Sequence, residues 1–294
     1  MKTQGTATQA PTRCMICEAN NPSQPPQCLV CGAPMALVHD SLAQDCEPLM
    51  VSIIGDSNVG KTVYLGFLLD MLSHRVGDFE AVPKGAYSID LQQNVISNMC
   101  RRVFPPKTPM ETNQWFWAYY QIYQHTPRPK WVDLVMPDIA GESLAAEVTA
   151  PNTFKVIRSL LDKSAGMMLL VDAALAASGS SQPDFFAVRM LTYIDTMYSG
   201  GRNQQVGTPI AIVLCKADQC PDCFDDPPKF AKANLNRMWN LCQSRFANVE
   251  FFACSVVGSL AYATAPQEDY VIPVPLHTAL QGIVEPFHWV VDQL

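Results

Sequence analysis

Eight consecutive residues have the types and spacing of a phosphate-binding loop. In order they are Gly55, Asp56, Ser57, Asn58, Val59, Gly60, Lys61 and Thr62. The glycines let the backbone wrap around a phosphate, while consecutive N–H groups and the N-terminus of a following helix supply positive potential. The lysine would bridge the β- and γ-phosphates, and the threonine would hold Mg²⁺. An apolar strand pattern precedes the loop and a helical pattern follows it, so the sequence predicts a site for a nucleoside triphosphate and Mg²⁺.

Four of the eleven cysteines form two C-x-x-C pairs near the N-terminus: Cys14, Cys17, Cys28 and Cys31. Thiolates at this spacing can converge tetrahedrally on Zn²⁺. Gly32 follows the second pair, where a residue free to take positive φ helps backbone N–H groups face the sulfurs. A redox dithiol, the alternative, would need only one pair. We expect a zinc ribbon over residues 14–35, with metal binding supplying most of its folding energy. A third pair, Cys220 and Cys223, would either supply two ligands to a second metal site or carry reduced thiols on the surface, and the surface thiols are favoured.

Three further short motifs follow the phosphate loop, each at the end of a predicted strand. Residues 138–142 read Asp-Ile-Ala-Gly-Glu, residues 215–218 read Cys-Lys-Ala-Asp, and residues 254–257 read Cys-Ser-Val-Val. In this order, and together with the phosphate loop, they resemble the motifs of the Ras-like GTPases of the translation-factor-related P-loop class. The resemblance extends over residues 48–294, and it implies a GTPase domain there.

At the phosphate end, the resemblance implies that Asp138 holds Mg²⁺ through a water and that the Gly141 N–H contacts the γ-phosphate. Hydrolysis would then release the loop around Gly141. The threonine that caps Mg²⁺ and the γ-phosphate must lie between residues 62 and 138. Thr108, in a proline-rich loop, is the first candidate and Thr112 the second. The candidate catalytic residues are thus Lys61, Thr108, Gly141 and Glu142.

At the base end, the resemblance implies that Asp218 accepts two hydrogen bonds from guanine N1 and N2, which adenine cannot provide. Lys216 would lie along the base and ribose. Ser255 and Val256 would close over the guanine O6. The bound cofactor would therefore be GTP or GDP.

Two residues depart from the pattern of these GTPases. Cys215 replaces the usual asparagine and removes an amide that would tie the base loop to the phosphate loop. Glu142 stands where a glutamine orients the attacking water, and a carboxylate cannot donate a hydrogen bond to the γ-phosphate. We therefore expect slow intrinsic hydrolysis. Arg101 and Arg102 would supply an arginine finger in cis or form a solvated helix end.

The remaining sequence predicts the elements that position these residues. Short apolar runs typical of strands buried on both faces occur at residues 49–54, 131–136, 166–171, 209–215 and 249–254. Helical periodicity occurs at residues 62–72, 88–103, 184–198 and 230–246. This alternation predicts an α/β fold, a three-layer P-loop architecture around a mostly parallel sheet. We also expect an antiparallel strand at a sheet edge over residues 115–123, a closing helix over residues 276–294 and a flexible tail over residues 1–13.

Length, charge and hydropathy exclude several classes of protein. The 294 residues suffice for one large domain and a small appendage. A formal charge of −7 supplies no general positive field, so we expect no specific nucleic-acid partner. The apolar stretches are too short to cross a bilayer, and we expect neither a membrane span nor a lipid anchor. The odd cysteine count and the absence of a signal peptide favour a reducing, cytoplasmic location.

These expectations combine into a cytoplasmic GTPase that acts as a molecular switch in signalling, with a zinc ribbon for contact with a protein effector or activator. Zinc ribbons joined to divergent Ras-like domains resemble the prokaryotic double-GTPase group. Two alternatives stay open. One is a nucleotide-dependent scaffold with little or no hydrolysis, and the other is an ATP-binding P-loop protein in which Asp218 is idle.

Overall fold

The computed structural model describes residues 11–22, 25–44, 48–75, 78–125, 129–200, 204–264 and 271–294. Residues 1–10 of the predicted tail lie outside this described part. Residues Thr12–Arg13 are not part of a tail but form the first strand, β1, which pairs antiparallel with β2 (Asn20–Asn21) around the first cysteine pair. Helix α1 (Ala36–Gln44) follows the second cysteine pair.

The rest of the described chain alternates strands and helices. In its first half these are β3 (Leu49–Gly55), α2 (Lys61–Ser73), β4 (Phe79–Pro83), α3 (Tyr87–Cys100), β5 (Trp117–Gln124), β6 (Lys130–Pro137), α4 (Gly141–Thr149) and α5 (Lys155–Asp162). In its second half they are β7 (Ser164–Asp172), α6 (Ala173–Ala177), α7 (Gln182–Ser199), β8 (Ile210–Cys215), α8 (Asp222–Asp225), α9 (Pro227–Asn234), α10 (Asn236–Arg245), β9 (Val249–Ala253), β10 (Ser255–Thr264), β11 (Val271–Gln281) and α11 (Glu285–Asp292).

Seven of the described strands form one sheet in the order β4-β5-β6-β3-β7-β8-β9. Strands β6, β3, β7, β8 and β9 run parallel, while β5 is antiparallel to both β6 and β4. One face packs against α2, α3 and α11, and the other packs against α1, α4, α5, α7, α9 and α10. The predicted α/β fold with a mostly parallel sheet is confirmed. Among the described helices, none combines the length and hydropathy that a membrane crossing requires.

Several elements differ from the expectations. Strand β5 is not at the sheet edge, because β4 pairs along its outer side. The predicted helix over residues 230–246 is two helices with a break at Leu235. The Asp184 carboxylate, from α7, accepts a hydrogen bond of 2.9 Å from the Met238 N–H and so caps α10 from a distant part of the chain.

The predicted closing helix over residues 276–294 is wrong in its first part. Strand β11 continues to Gln281 because β10 supplies a partner strand along its whole length, and only α11 is helical. Gly282 makes the turn between them with φ of 66°, packed against the carbonyl of Ala253. Together β10 and β11 form a two-stranded ribbon outside the main sheet.

Candidate functional site

The carboxyl ends of the parallel strands meet at one edge of the sheet, where ligands bind in open α/β sheets. The phosphate loop follows β3, the segment 138–142 follows β6, and the segment 215–218 follows β8. These segments line a cavity of about 830 Å³. A cavity of this size is in the range of small-molecule and cofactor sites. The structure therefore brings the predicted phosphate and base motifs into one site.

The phosphate loop holds its lysine inside the loop. The Lys61 Nζ donates hydrogen bonds of 2.9 Å to the carbonyls of both Gly55 and Asp56. Burial lowers the pKa of Lys61, although the neighbouring carboxylates of Asp138, Glu142 and Asp56 act to raise it. The loop needs left-handed backbone at Asn58 and Gly60, with φ of 63° and 101°. The Lys61 ammonium is thus placed at the start of α2. A bound triphosphate would take the place of the Gly55 and Asp56 carbonyls as its hydrogen-bond acceptor.

Three side chains from three separate segments meet beside this lysine. The Thr62 Oγ1 lies 2.9 Å from Asp138 Oδ2, and the Thr108 Oγ1 lies 2.7 Å from the same oxygen. The two hydroxyl oxygens are 3.0 Å apart. Hydroxyl and carboxylate oxygens are the donors that Mg²⁺ takes in proteins, and Mg²⁺ keeps several waters besides. The oxygens that the sequence assigned to Mg²⁺ are therefore already grouped.

Asp138 is fully buried, and its second carboxylate oxygen has no hydrogen-bond partner among the described residues. Burial raises the pKa of Asp138, opposed by the hydrogen bond from Thr108, the charge of Lys61 and the hydrogen bond from Thr62. A buried carboxylate with an unused oxygen is costly unless a cation or donor compensates it. The site therefore fits a hydrated Mg²⁺.

The first turn of α4 lies against the phosphate loop. A Cβ added to Gly141 would overlap the backbone N of Ser57, so only glycine allows this approach. The next residue, Glu142, accepts a hydrogen bond of 2.5 Å from Ser57 Oγ and lies 3.6 Å from Lys107 Nζ. The pKa of Glu142 is lowered: partial burial acts to raise it, but the Ser57 hydrogen bond and the charges of Lys107 and Lys61 outweigh that effect. Glu142 is therefore ionised at neutral pH.

At the base end, Asp218 is oriented by a second predicted residue. The Ser255 Oγ donates a hydrogen bond of 2.8 Å to Asp218 Oδ1. Lys216 has left-handed backbone, with φ of 60°, and its Nζ lies 2.5 Å from Asp172 Oδ2 at the end of β7. Val256 also lines the cavity. Of the base-loop residues chosen from the sequence, Lys216, Asp218 and Val256 thus line the same cavity, and Ser255 contacts Asp218.

Cys215, the departure from the usual asparagine, packs against the following motif. Its Sγ lies 3.5 Å from the Sγ of Cys254, and both thiols are buried. The backbone N–H of Ala217 donates to the carbonyl of Cys254 at 3.1 Å. A thiol–thiol contact and a backbone hydrogen bond therefore join the segments 215–218 and 254–257 to each other.

Sequence reasoning missed four kinds of residue in this cavity. They are Lys107 beside Glu142, Ser57 through its side chain, Asp172 as the partner of Lys216, and the ribbon residues Leu260, Tyr262 and Pro273. Asp172 carries a signal that could have been used, because it ends a buried strand at the same edge. The ribbon carries none, since its approach to the cavity depends on the pairing of β10 with β11.

The four N-terminal cysteines form a compact cluster. Their sulfurs all lie within 4.8 Å of one another, with Cys14 and Cys31 3.7 Å apart and Cys17 and Cys28 3.6 Å apart. Tetrahedral zinc with Zn–S bonds of about 2.3 Å places sulfurs about 3.8 Å apart. A hydrogen bond with Cys31 lowers the pKa of Cys14, which favours the thiolate form that binds a metal. The cluster is compatible with a zinc ribbon.

Asn21 and the two turns support the cysteine cluster. The Asn21 side chain donates to Cys28 Sγ at 3.4 Å and accepts from the Leu29 N–H at 2.9 Å. Glu18 and Gly32 occupy equivalent places in the two turns. Each has left-handed backbone and an N–H that donates to the backbone carbonyl of the first cysteine of its pair. Such contacts fix metal ligands in place.

The other candidates lie elsewhere. Thr112 starts a short 3₁₀ helix that packs against Gly32, away from the Thr62 hydroxyl. Arg101 and Arg102 are exposed after α3 and do not line the cavity. Cys220 and Cys223 are buried rather than on the surface. Among the described residues, the cysteine cluster of residues 14–31 is the one group of three or more potential ligands that lie together.

A search of the curated proteins finds no match. Among solved structures, the GTPase-like domain of Ski7 from S. cerevisiae bound to GTP is 17% identical with a TM-score of 0.41, over 87% of this chain and 52% of that one. This chain thus spans about half the length of that neighbour. The signal recognition particle receptor SRb-GTP/SRX complex from Chaetomium thermophilum is 15% identical with a TM-score of 0.38, over 72% and 93%. At these TM-scores neither likeness carries an argument.

The family model described as Double-GTPase 1 matches residues 52–265, from the strand before the phosphate loop to the end of β10. The matched range contains the phosphate loop and the segments 138–142, 215–218 and 254–257. The match covers well over half of the chain, and the chain therefore belongs to the Double-GTPase 1 family of GTPases.

Proposed function

We propose that this protein binds GTP with Mg²⁺ in the cavity at the carboxyl edge of the sheet, hydrolyses it slowly to GDP and phosphate, and acts as a molecular switch. The observation that carries the proposal is the contact of the Thr108 hydroxyl with both Thr62 and Asp138. That contact brings the loop before β5 to the metal end of the phosphate loop. A loop held there by the γ-phosphate and Mg²⁺ is released when the phosphate leaves.

At the phosphate end, each residue has a separate task. Lys61 bridges the β- and γ-phosphates, and the N–H of Gly141 donates to the γ-phosphate. Thr62 and Thr108 would hold Mg²⁺ directly and Asp138 would hold it through a water. Bound there, Mg²⁺ neutralises charge on the β- and γ-phosphates.

In the reaction, a water oxygen bonds to the γ-phosphorus while the bond from that phosphorus to the β–γ bridging oxygen breaks. The bonding electrons stay with the GDP, and the water proton passes to the phosphate product. Glu142 can accept a hydrogen bond from this water but cannot donate one to the γ-phosphate, which supports a slow reaction.

At the base end, Asp218 accepts hydrogen bonds from guanine N1 and N2. Ser255 holds this carboxylate in place through its contact with Oδ1. Lys216 lies along the base and ribose, with its ammonium fixed by Asp172. Adenine lacks the paired donors that Asp218 requires, so an idle Asp218 would be needed for an ATP-binding protein.

We propose further that the cysteine cluster of residues 14–31 binds Zn²⁺ and that the zinc ribbon contacts a protein effector or activator. The sulfur distances support the metal, and the exposed Leu29 and Val30 at the tip of the second turn support a contact surface. None of the described cysteines is in a disulfide, which supports a reducing, cytoplasmic location.

Nucleotide binding tests the proposal. Isothermal titration of Mg²⁺-replete protein with GTP, GDP, ATP and xanthosine triphosphate should give tight binding of GTP and GDP only. The Asp218→Asn variant should lose affinity for GTP by about tenfold or more and gain affinity for the xanthine nucleotide, because the amide presents a donor to the base. Metal analysis of the same sample should give one zinc per chain. Unchanged GTP affinity in Asp218→Asn would show that the base site is wrongly assigned.

A second candidate is a scaffold that binds GTP with little hydrolysis. The specific observation in its favour is that Glu142 is already engaged by Ser57 and ionised. Single-turnover hydrolysis, with and without candidate partner proteins, separates the two functions. A bound GTP that persists under both conditions favours the scaffold.

A further inference from the structure

The inference concerns the lysine beside Glu142, and it rests on the proposed GTPase function. Lys107 is one residue before Thr108, whose hydroxyl contacts Asp138 at 2.7 Å. The backbone of Lys107 is therefore held within one residue of the metal end of the site. Its side chain lines the nucleotide cavity, and its Nζ lies 3.6 Å from Glu142 Oε1.

The position of Glu142 is fixed from two directions. Gly141 is packed against the backbone of Ser57, and the Ser57 Oγ donates to Glu142 Oε1. The carboxylate therefore lies on the phosphate loop. Since Lys107 meets this same oxygen, its ammonium is held over the phosphate loop by a residue of the α4 N-terminus.

Electrostatics give this arrangement a consequence. The negative charge of a carboxylate beside a triphosphate repels the phosphates. Ras-like enzymes carry a neutral glutamine at this position, so the motifs shared with them include no group that would offset the charge of Glu142. Lys107 offsets it. The side chains of Lys107 and Glu142 are 63% and 38% exposed, and an ion pair this exposed contributes little to stability. Covered by a nucleotide, the same ammonium acts in a drier environment where its charge counts for more.

We propose that Lys107 is a catalytic residue, a cationic finger supplied in cis by the loop before β5, and that Glu142 is the positioning residue that holds it. As the bond from the γ-phosphorus to the bridging oxygen breaks, negative charge shifts to that oxygen and to the γ-phosphoryl oxygens. The Lys107 ammonium donates hydrogen bonds to these oxygens and keeps its proton throughout. It forms no covalent bond, and its effect is electrostatic stabilisation of the transition state.

The other cationic side chains near the phosphate end of the cavity do not take the role proposed for Lys107. Lys61 is occupied with the β- and γ-phosphates in the proposed mechanism. Arg101 and Arg102 lie outside the cavity. Among the described residues that line the cavity, Lys107 is the cation nearest to Glu142, and Lys216 is at the base end, paired with Asp172.

The test is single-turnover hydrolysis at saturating GTP and Mg²⁺. Lys107→Met keeps the length of the side chain and removes its charge, Lys107→Arg keeps the charge, and Lys155→Met is the matched control on an exposed position of α5. We expect Lys107→Met to lower the rate constant by about 10- to 100-fold. Lys107→Arg should recover most of the rate. Lys155→Met should equal the wild type, and GDP affinity should stay within about twofold in all three.

A double-mutant cycle tests the positioning role of Glu142. Glu142→Ala removes the carboxylate without supplying the amide of a glutamine, and it should lower the rate less than Lys107→Met does. The double variant should be no slower than Lys107→Met alone, since residues that act as a unit are not additive. Retention of aluminium fluoride by the GDP complex supplies a second readout, and we expect Lys107→Met to lose it while keeping GDP.

Two results would overturn the inference while leaving the proposed function intact. They are a Lys107→Met rate within twofold of the wild type and additive effects in the cycle. A wild-type chain that binds GTP but shows no turnover would instead refute the proposed hydrolysis, and absence of GTP binding would refute the proposed nucleotide site.

Discussion

Gly32→Ala tests whether packing of the second cysteine turn stabilises the segment that follows Thr108. Gly32 has φ of +75°, and a Cβ there would lie 2.6 Å from the backbone N and Cα of Asn113. Next to this contact, the Gln27 side chain donates to the Asn113 carbonyl at 3.2 Å. Asn113 is in the segment that joins Thr108 to β5, and the Trp115 indole of that segment donates to the Pro109 carbonyl at 2.9 Å. The second cysteine turn therefore holds the segment after Thr108 in place through backbone packing and a hydrogen bond.

The magnitude follows from two separate effects. Left-handed backbone costs alanine about 1–2 kcal/mol. Forcing a methyl group against a packed backbone costs about 1–3 kcal/mol more. The sum is about 2–5 kcal/mol, and its lower end corresponds to about 30-fold in an equilibrium constant. Gly200→Ala is the matched control, because Gly200 also has positive φ but nothing lies within 4 Å of the added Cβ.

The assay is zinc release to a chromogenic chelator, with hydrogen exchange of residues 109–115 as a second readout. Gly32→Ala should release zinc about 30-fold faster or more and lose exchange protection in that segment. Gly200→Ala should change neither, and its stability loss should reflect backbone strain alone. Equal zinc release and equal protection in Gly32→Ala and the wild type would refute the argument that the turn clamps this segment.

Two further predictions concern other parts of the site and the fold. Gly141→Ala should weaken GTP binding by about tenfold or more with zinc content unchanged, because the methyl group would displace the Ser57 amide of the phosphate loop; unaltered GTP titration would contradict the close approach. His288 is half-buried against Phe79, and burial lowers its pKa, although the charges of Asp292, Asp78 and Glu285 act to raise it. The unfolded chain then binds the proton more readily, so stability should fall as pH drops below about 6.5. Urea unfolding from pH 8 to pH 5 should show this loss, which His288→Phe should reduce; an identical pH dependence in that variant would exclude His288 as the cause.

The phosphate loop and the parallel strands could be predicted because their signals are local. Strand β3 reads as a continuous apolar run, and the loop after it needs particular residue types in consecutive positions. The order of the later motifs placed Asp138 and Asp218 at the same sheet edge, because parallel strands present their carboxyl ends together. Thr108 was the first candidate for the Mg²⁺-capping threonine because it precedes the strand predicted at residues 115–123 in a proline-rich loop, and its hydroxyl lies 2.7 Å from Asp138.

Other features could not be read from local patterns. The break at Leu235 depends on Asp184, which caps α10 from more than fifty residues away. Residues 276–281, the part of β11 that was predicted as helix, contain neither proline nor glycine, and they form a strand because β10 pairs with them. Lys107 reads as an ordinary loop lysine until Glu142 is found beside it.

The sequence by itself determined which chemical groups are available and in what order: a phosphate loop, three strand-end motifs and four paired cysteines. The tertiary structure decided which of them meet, because contacts between Thr108 and Asp138, or between Gly32 and Asn113, depend on how separate segments pack rather than on neighbours along the chain. Local residue types are sufficient for motifs whose parts are consecutive. Electrostatic pairs and close backbone contacts between distant segments require the packed fold.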